Sequence, residues 1–406
     1  MLKILFCSIG LCLSLHAQAF VHHGEAEIQF RFDSHRPYKV PPAVTLGTES
    51  PILSNSREVF LKFADWDNDF KPGIMRMDRS GEISVVKMKE GLLPTGLSFN
   101  EKTQKLFFEI IQNFQGLGIF TLDTLLSRVV PVWNNEKVQF SSEVFCDLTF
   151  KSQCLYRGTT FEGEKFIALL DVTTGESQIL LGFGSHRGQS ISYVFTPVSS
   201  SNGNYFAVKV RHGERGQVSE SQPDSIYIFS WSTELLPELV AVVRDRDGNE
   251  QSEIATFDNS FALNNNGSLA FMGRNSDDKR SLWHKRLHQP LKVILNEGVS
   301  TQQIHNFPAD LNDKEEIVFR ARTIKGESIF FHHPTSGLQI LLRWGQRLKS
   351  DLGDLKAGPP RREDPSFFLS PRINQRGDVL VGTLVTQSEA EENSGLAFYL
   401  FPKLEN

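Results

Sequence analysis

Residues 261–271 read FALNNNGSLAF, an apolar stretch, a polar Asn-Asn-Asn-Gly corner and a second apolar stretch. Asn and Gly tolerate the positive backbone angles of tight turns, so the segment predicts a β-hairpin. Its second arm carries the apolar trio that ends at Phe271, and six similar trios end at Phe60, Phe108, Tyr156, Ala207, Phe319 and Val381. The successive spacings are 48, 48, 51, 64, 48 and 62 residues. The hairpin is therefore one copy of a repeat.

Each copy continues with a third apolar strand, such as IALLD from Ile167, and a fourth strand, such as SQILL from Ser177. The inner strands read as apolar runs, which is typical of strands covered on both faces. Four antiparallel strands per repeat predict an all-β fold, a single seven-bladed β-propeller. A solenoid is the structural alternative, but it would expose its terminal repeats and need caps.

The two ends of the chain complement each other. The seventh copy stops at AFYLFPKLEN and lacks a fourth strand, whereas EIQFRF at residues 27–32 is a spare strand before the first repeat. We expect this N-terminal strand to complete the last blade, because a closed ring has no open sheet edge.

Residues 1–19 have the pattern of a secretory signal peptide: Lys3, an apolar run from Ile4 to Leu15, and Ala17-Gln18-Ala19 before Phe20. A membrane anchor is the alternative, but the apolar run is shorter than the ~20 residues that span a bilayer. We expect the propeller to occupy residues 20–406, with no transmembrane segment. The mature protein should be a soluble monomer exported to the periplasm or beyond the cell.

Export leaves two cysteines in the mature chain, Cys146 and Cys154, placed symmetrically about Phe150. In a hairpin they would face each other on neighbouring strands, so a disulfide is one option in an oxidising compartment. Two buried free thiols are the other option.

Charge and metal-ligand patterns give few sites. The net charge of -5 and pI of about 6.2 argue against nucleic acid as a partner. Asp65, Asp67 and Asp69 alternate in a loop and could bind calcium, although the glycine and closing glutamate of an EF-hand are missing. A solvated acidic loop is the alternative, and we expect no other cofactor. The His332-His333 pair is interpreted as a strand-end surface feature.

Two polar insertions interrupt the repeat, Arg211–Ser225 and Arg343–Ser366. Their Gly, Pro and charged residues predict surface loops. These loops are either binding sites or neutral insertions.

The stretch from Asn264 to Phe271 resembles the repeat of secreted bacterial proteins known for tandem NxxGxxAF sequences. Partial copies run from Asn312 to Phe319, with Glu315 in place of glycine, and from Asn374 to Val381, which keeps Gly377. This resemblance implies an exported, propeller-like protein and brings no catalytic residues. A more distant likeness to the propeller of the Tol envelope system implies binding of partner proteins.

No GxSxG, HExxH, P-loop or Rossmann motif is present, so we assign no catalytic residues. The leading hypothesis is an exported, non-enzymatic propeller that binds a protein or a cell-envelope ligand. The alternative is a propeller hydrolase or lyase that acts on glycan or peptide in the central cleft. A convergent set of acids, histidines or arginines at the centre of the ring would favour the enzyme.

Overall fold

A computed structural model describes residues 23–33, 37–40, 44–46, 49–65, 71–123, 128–134, 138–147, 151–182, 184–186, 189–214, 222–231, 236–387 and 393–404. These residues form 33 β-strands in seven antiparallel sheets. The prediction of an all-β, seven-bladed propeller is confirmed. The described ranges contain no helix that could span a membrane.

Blades 1 to 4 contain eighteen of these strands, numbered from β2 in chain order. Blade 1 has Val44–Leu46, Ile52–Leu53, Val59–Asp65, Lys71–Met77 and Ile83–Lys87 (β2–β6). Blade 2 has Leu92–Asn100, Lys105–Gln112, Gln115–Asp123 and Arg128–Asn134 (β7–β10). Blade 3 has Phe140–Asp147, Gln153–Thr159, Lys165–Asp171 and Ser177–Leu181 (β11–β14). Blade 4 has Gly184–His186, Gln189–Ser199, Tyr205–His212, Asp224–Ser230 and Glu238–Arg244 (β15–β19).

Blades 5 to 7 contain the remaining strands. Blade 5 has Ile254–Leu263, Leu269–Asn275, Arg280–Lys285 and Leu291–Asn296 (β20–β23). Blade 6 has Thr301–Ile304, Asp310–Leu311, Ile317–Thr323, Gly326–His333 and Gly337–Arg343 (β24–β28). Blade 7 has Arg347–Ser350, Gly353–Ala357, Phe367–Ile373, Val379–Gln387 and Asn393–Phe401 (β29–β33), and also Glu27–Phe32 (β1).

The N-terminal strand closes the ring as predicted. β1 pairs antiparallel with β33, placing Phe32 opposite Leu396 and Glu27 opposite Leu400. Arg31 is fully buried and forms ion pairs with Asp33 and with Asp351 in the turn between β29 and β30. The first and last strands of the chain therefore share one sheet, and no edge of blade 7 is left open at β33.

The core is divided among the blade interfaces. Seven apolar clusters occur, each made of residues from two neighbouring blades. The trio of the opening hairpin shows how this works. Leu269 and Phe271 pack with Ile226 and Ile228 of blade 4, whereas Ala270 packs with residues of blade 6. Strands buried on both faces explain the continuous apolar runs in the sequence.

A buried polar side chain begins most of the corners between the first and second strands. Asn264 is 1% exposed, and its Oδ1 accepts hydrogen bonds from the backbone N–H groups of Asn266 and Ser268. These bonds give partners to the backbone N–H groups of the tight turn. The fourth corner position has φ 74° at Gly267 and 63° at Glu315, so the corner fixes a left-handed conformation that favours glycine.

The same asparagines join neighbouring blades. The Nδ2 of Asn264 donates to the carbonyl oxygen of Asn312 at 3.0 Å, and that of Asn312 donates to Asn374 at 3.1 Å. The Nδ2 of Asn374 in turn donates to the carbonyl oxygen of Ser54 at 3.1 Å, and this bond links the last blade to the first. We call this chain of bonds the corner girdle, and the end of the ring that carries it the corner face. The opposite end is called the loop face.

The insertion at Arg343–Ser366 is not only a surface loop, which corrects the prediction. It forms a hairpin, β29–β30, whose second strand pairs with β32 from Leu355 to Ala357. Leu348 and Leu355 are buried in the core between blades 6 and 7, so the apolar residues of the insertion hold it against the sheet. In the other insertion, residues 215–221 lie outside the described ranges.

A disulfide joins Cys146 and Cys154, which are direct partners in the pairing of β11 with β12. Both residues are fully buried in the cluster between blades 2 and 3.

We predict that removing residues 20–35 destabilises the ring. The loss of β1 removes Phe30, which is fully buried, and burial of such a side chain contributes about 3 kcal/mol. The melting temperature should fall by roughly 10 °C or more in calorimetry. The reference protein begins at Phe20, and an unchanged transition in the shorter protein would contradict closure by β1.

We predict that Asn264→Ala lowers the free energy of unfolding by about 3 kcal/mol, because it leaves buried backbone groups of two blades unpaired. Asn266→Ala is the matched control, since Asn266 is exposed two residues along the same corner. Its cost in urea denaturation should be under about 1 kcal/mol. Equal losses for the two variants would show that the girdle does not stabilise the ring.

Candidate functional site

The first strands of all seven blades surround a central cavity of about 490 Å³. Its lining is an even mixture of polar and apolar residues, and its charged residues are Glu101, Asp310 and Arg372. Burial raises the pKa of Glu101 and of Asp310. Both carboxylates accept backbone N–H bonds, Glu101 from Asn55 at 2.6 Å and Asp310 from Ile373 at 2.9 Å. These acids therefore hold the inner strands in place.

A second cavity of about 400 Å³ lies toward the loop face, between blades 4 and 5. Asn259 and Ser260 of β20 line both cavities, so the two are adjacent. We call the second cavity the loop-face cleft. Its lining is far richer in charge: Lys209, Arg211, Asp224, Asp245, Asp258 and Arg274.

Lys209 is the most buried cation of the cleft, with 1% of its surface exposed. Its Nζ lies 3.0 Å from Asp224 and donates to Asn259 at 2.8 Å and to the carbonyl of Phe257 at 3.3 Å. Burial lowers the pKa of Lys209, and the charge of Asp224 opposes that shift. A buried lysine of this kind loses its proton more readily than a surface lysine.

Arg211 follows Lys209 on the same side of β17, and Asp224 holds both. Arg211 donates Nε and Nη2 to the two oxygens of Asp224, at 2.8 and 3.0 Å. Asp245, the residue after β19, supports Asp224 by accepting its backbone N–H at 2.7 Å. Burial raises the pKa of Asp245 to about 6. The paired arrangement fixes two cations on the wall of the cleft.

Blade 5 adds two arginines at the rim. Arg280 pairs with Asp258 at 2.9 Å, and Arg274 contacts the exposed Asp278 at 3.1 Å. The side chain of Arg274 is 43% exposed and lines the cleft, so it remains accessible to a ligand.

Blade 6 presents a related cluster next to the cleft. Glu327 is fully buried and accepts hydrogen bonds from Arg320 and from the backbone of Ser366. His305 lies 3.2 Å from Glu327, and the ring of Phe307 covers Arg320 at 4.1 Å. Burial lowers the pKa of His305. The loop-face ends of blades 4 to 6 therefore combine cations, carboxylates and an aromatic side chain.

The sequence analysis assigned no functional role to these residues. It placed Arg211 and Asp224 in a surface loop, the insertion Arg211–Ser225, and this is wrong for its two ends, which are buried in β17 and β18. A signal does exist in YFAVKVRH at residues 205–212, where Lys209 and Arg211 alternate with apolar residues in a strand. Two cations on one face of an otherwise apolar inner strand indicate a charged cavity. The partner acids come from β18, from the turn after β19 and from β20, which only the tertiary fold brings together.

The proposed calcium loop is largely outside the described residues, since Asp67 and Asp69 fall in the range 66–70. The backbone of Asp65 pairs with Lys71 and Val44. Within the described ranges, no three His, Cys, Asp or Glu side chains form a metal-binding group. The interpretation of the histidine pair as a surface feature is wrong for His332, which is 8% exposed.

No protein-family model matches the chain, and no curated protein matches it significantly. Solved structures do resemble it. An oligogalacturonate lyase in complex with manganese has a TM-score of 0.57, 10% identity, and coverage of 95% of this chain and 98% of its own. An oligogalacturonate lyase from Vibrio parahaemolyticus has a TM-score of 0.54 and 10% identity, covering 94% and 98%.

A structure from a study of two prolyl endopeptidases has a TM-score of 0.55 and 9% identity. It covers 87% of this chain but only 48% of its own, so the match spans about half of that protein. At these identities the likenesses show the propeller fold alone. The described His, Cys, Asp and Glu residues do not fit a manganese site of three such ligands.

These neighbours correct the leading hypothesis. A non-enzymatic binding scaffold is contradicted, because the propellers that match the chain over most of its length belong to enzymes. TolB from Acinetobacter baumannii matches only 66% of the chain, with a TM-score of 0.43 and 10% identity, and supports no argument. The NxxGxxAF resemblance has no matching family model, and the propeller it implied is present.

Proposed function

We propose that this propeller is a lyase that cleaves an acidic oligosaccharide by β-elimination in the loop-face cleft. The observation that carries the proposal is the pair of cations, Lys209 and Arg211, held by Asp224 on the wall of that cleft. Similar propellers that match this chain over nearly their whole length are oligogalacturonate lyases, which supports the same reading.

The chemistry requires cations beside a proton acceptor. In a uronide, the proton on the carbon next to the carboxylate becomes acidic only when the carboxylate charge is neutralised. A base removes that proton, the electron pair forms a carbon–carbon double bond, and the bond to the glycosidic oxygen breaks. The departing oxygen then takes up a proton. Each proton transfer contributes about 10²–10⁴-fold to the rate.

The residues of the cleft match these roles. The accessible Arg274 binds the carboxylate, since guanidinium groups recognise carboxylates through paired hydrogen bonds. Arg211, whose paired donors are held by Asp224, adds positive charge beside it. Lys209 is the base, because burial lowers its pKa toward the working range of a proton acceptor. Asp224 positions Arg211 and Lys209.

A peptidase reaction receives less support. His212 lies 3.0 Å from the hydroxyl of Ser225, as a nucleophile–base pair would, but neither residue lines the central cavity or the loop-face cleft. The match to the prolyl endopeptidase covers about half of that chain, whereas the lyases match over almost their entire length.

We predict that the purified protein produces an ultraviolet-absorbing unsaturated uronide from oligogalacturonate and no product from a neutral oligosaccharide of equal length. Lys209→Met should lower kcat at least about 100-fold, whereas Arg274→Ala should mainly raise KM. Lys349→Met is the control, since Lys349 is a surface residue of β29 and should leave both constants unchanged. The melting temperature of each variant separates chemistry from folding.

The pH profile tests the role of Lys209 separately. A base must be unprotonated, so kcat/KM should rise with pH through the lowered pKa of Lys209. New reducing ends without ultraviolet absorbance would indicate hydrolysis instead. No product from several acidic glycans would contradict the proposed function.

We further propose that the chain is exported and oxidised. When it is expressed with its full N-terminus in a bacterial host, the intact mass should correspond to a protein that begins at Phe20. Alkylation without reductant should leave that mass unchanged, because Cys146 and Cys154 are joined. Retention of residues 1–19, or labelling of both thiols, would contradict this.

A further inference from the structure

A small cavity of about 130 Å³ lies on the corner face, between the β22–β23 turn of blade 5 and the corner of blade 6. It is at the opposite end of the ring from the loop-face cleft. Its chemistry comes from five side chains: His284, Arg286, Lys292, Glu315 and His332. Four of these are basic and one is acidic.

The carboxylate of the cavity, Glu315, already has partners for both of its oxygens. Glu315 accepts hydrogen bonds from Asn264 at 3.1 Å and Ser268 at 2.9 Å through one oxygen. Its other oxygen lies 2.5 Å from His284 and 3.6 Å from Arg286. Glu315 therefore neutralises the inner part of the cavity and joins blade 6 to the corner of blade 5.

Lys292 and His332 have no acidic partner among the described residues. Lys292 is exposed at the mouth of the cavity, whereas the side chain of His332 is 92% buried, with 8% exposed. The Nδ1 of His332 has no hydrogen-bond partner in the described part of the chain. A buried polar atom without a partner costs about 1–3 kcal/mol, so this arrangement calls for a ligand.

The positive charges around His332 also favour a negatively charged ligand. Burial is the largest cause that lowers the pKa of His332 to about 4, and the charges of Lys292, His284, His333 and Arg286 contribute in that order. Lys292 and Arg286 carry permanent positive charge beside this imidazole, and Glu315, the carboxylate that lines the cavity, is engaged by His284 and Arg286.

We infer that this cavity binds a compact oxyanion, with Arg286, Lys292 and His332 as its donors. The volume corresponds to about four water molecules, which is enough for a phosphate, a sulfate or a single carboxylate. A bound anion would offer an acceptor to the imidazole and offset the cations around it. The site is independent of the proposed lyase activity.

Proton linkage gives the site a signature. A negative ligand raises the pKa of His332, so binding takes up a proton in the range between about 4 and the ordinary value of 6.5. Affinity for the anion should therefore increase as the pH falls from 7 to 5. Sulfate keeps its charge over this range, so sulfate held by surface lysines alone would show no such dependence.

The test is calorimetric titration of the full protein with inorganic phosphate, sulfate and acetate at pH 5 and pH 7, alongside the ring resonances of His332. We expect saturable binding that shifts these resonances and that, for sulfate, whose charge is constant in this range, tightens at pH 5. Lys292→Met should weaken it about tenfold or more, since it removes an exposed donor without disturbing the core. His332→Gln should remove the pH dependence.

Lys279→Met is the control, because Lys279 is exposed in a turn of the same blade on the loop face. Preference for phosphate over acetate would identify a phosphorylated ligand, and the reverse would identify a carboxylate. The inference is overturned if no saturable binding occurs, or if Lys292→Met binds as tightly as Lys279→Met.

Discussion

The ring depends on a buried amide that serves two blades at once. The oxygen of Asn264 closes its own corner, and its nitrogen holds the next blade at Asn312. A short polar corner between apolar strands would otherwise leave buried backbone groups unpaired. The girdle solves this problem at the end of the ring where the inner strands converge. Blade packing then completes the core, because each sheet buries both faces against its neighbours.

Most of the fold could be predicted from local pattern. The repeat spacing gave the number of blades, because each trio marks a second strand that is buried on both faces. The missing fourth strand after Phe401 predicted the pairing of β1 with β33. The β29–β30 hairpin could not be predicted, because only two of its apolar residues, Leu348 and Leu355, pack in the core between blades 6 and 7. The charged residues around them give the segment the composition of a surface loop.

The residues of the candidate site could not be grouped from the sequence alone. Asp224 meets Lys209 and Arg211 across the pairing of β17 with β18, and the insertion that separates them obscures this proximity. Lys209 also depends on Asn259 from the next blade, 50 residues away. Such contacts arise only when neighbouring blades pack together in the ring. The motif search failed because chemistry in a propeller is assembled from several blades and not from one segment.

The account is tested most directly by a crystal structure of the protein with an acidic trisaccharide bound. It predicts density in the loop-face cleft, with a uronate carboxylate against Arg211 and Arg274 and the neighbouring carbon facing Lys209. Binding only elsewhere on the ring, or a sugar in the cleft with its carboxylates turned away from these cations, would contradict it.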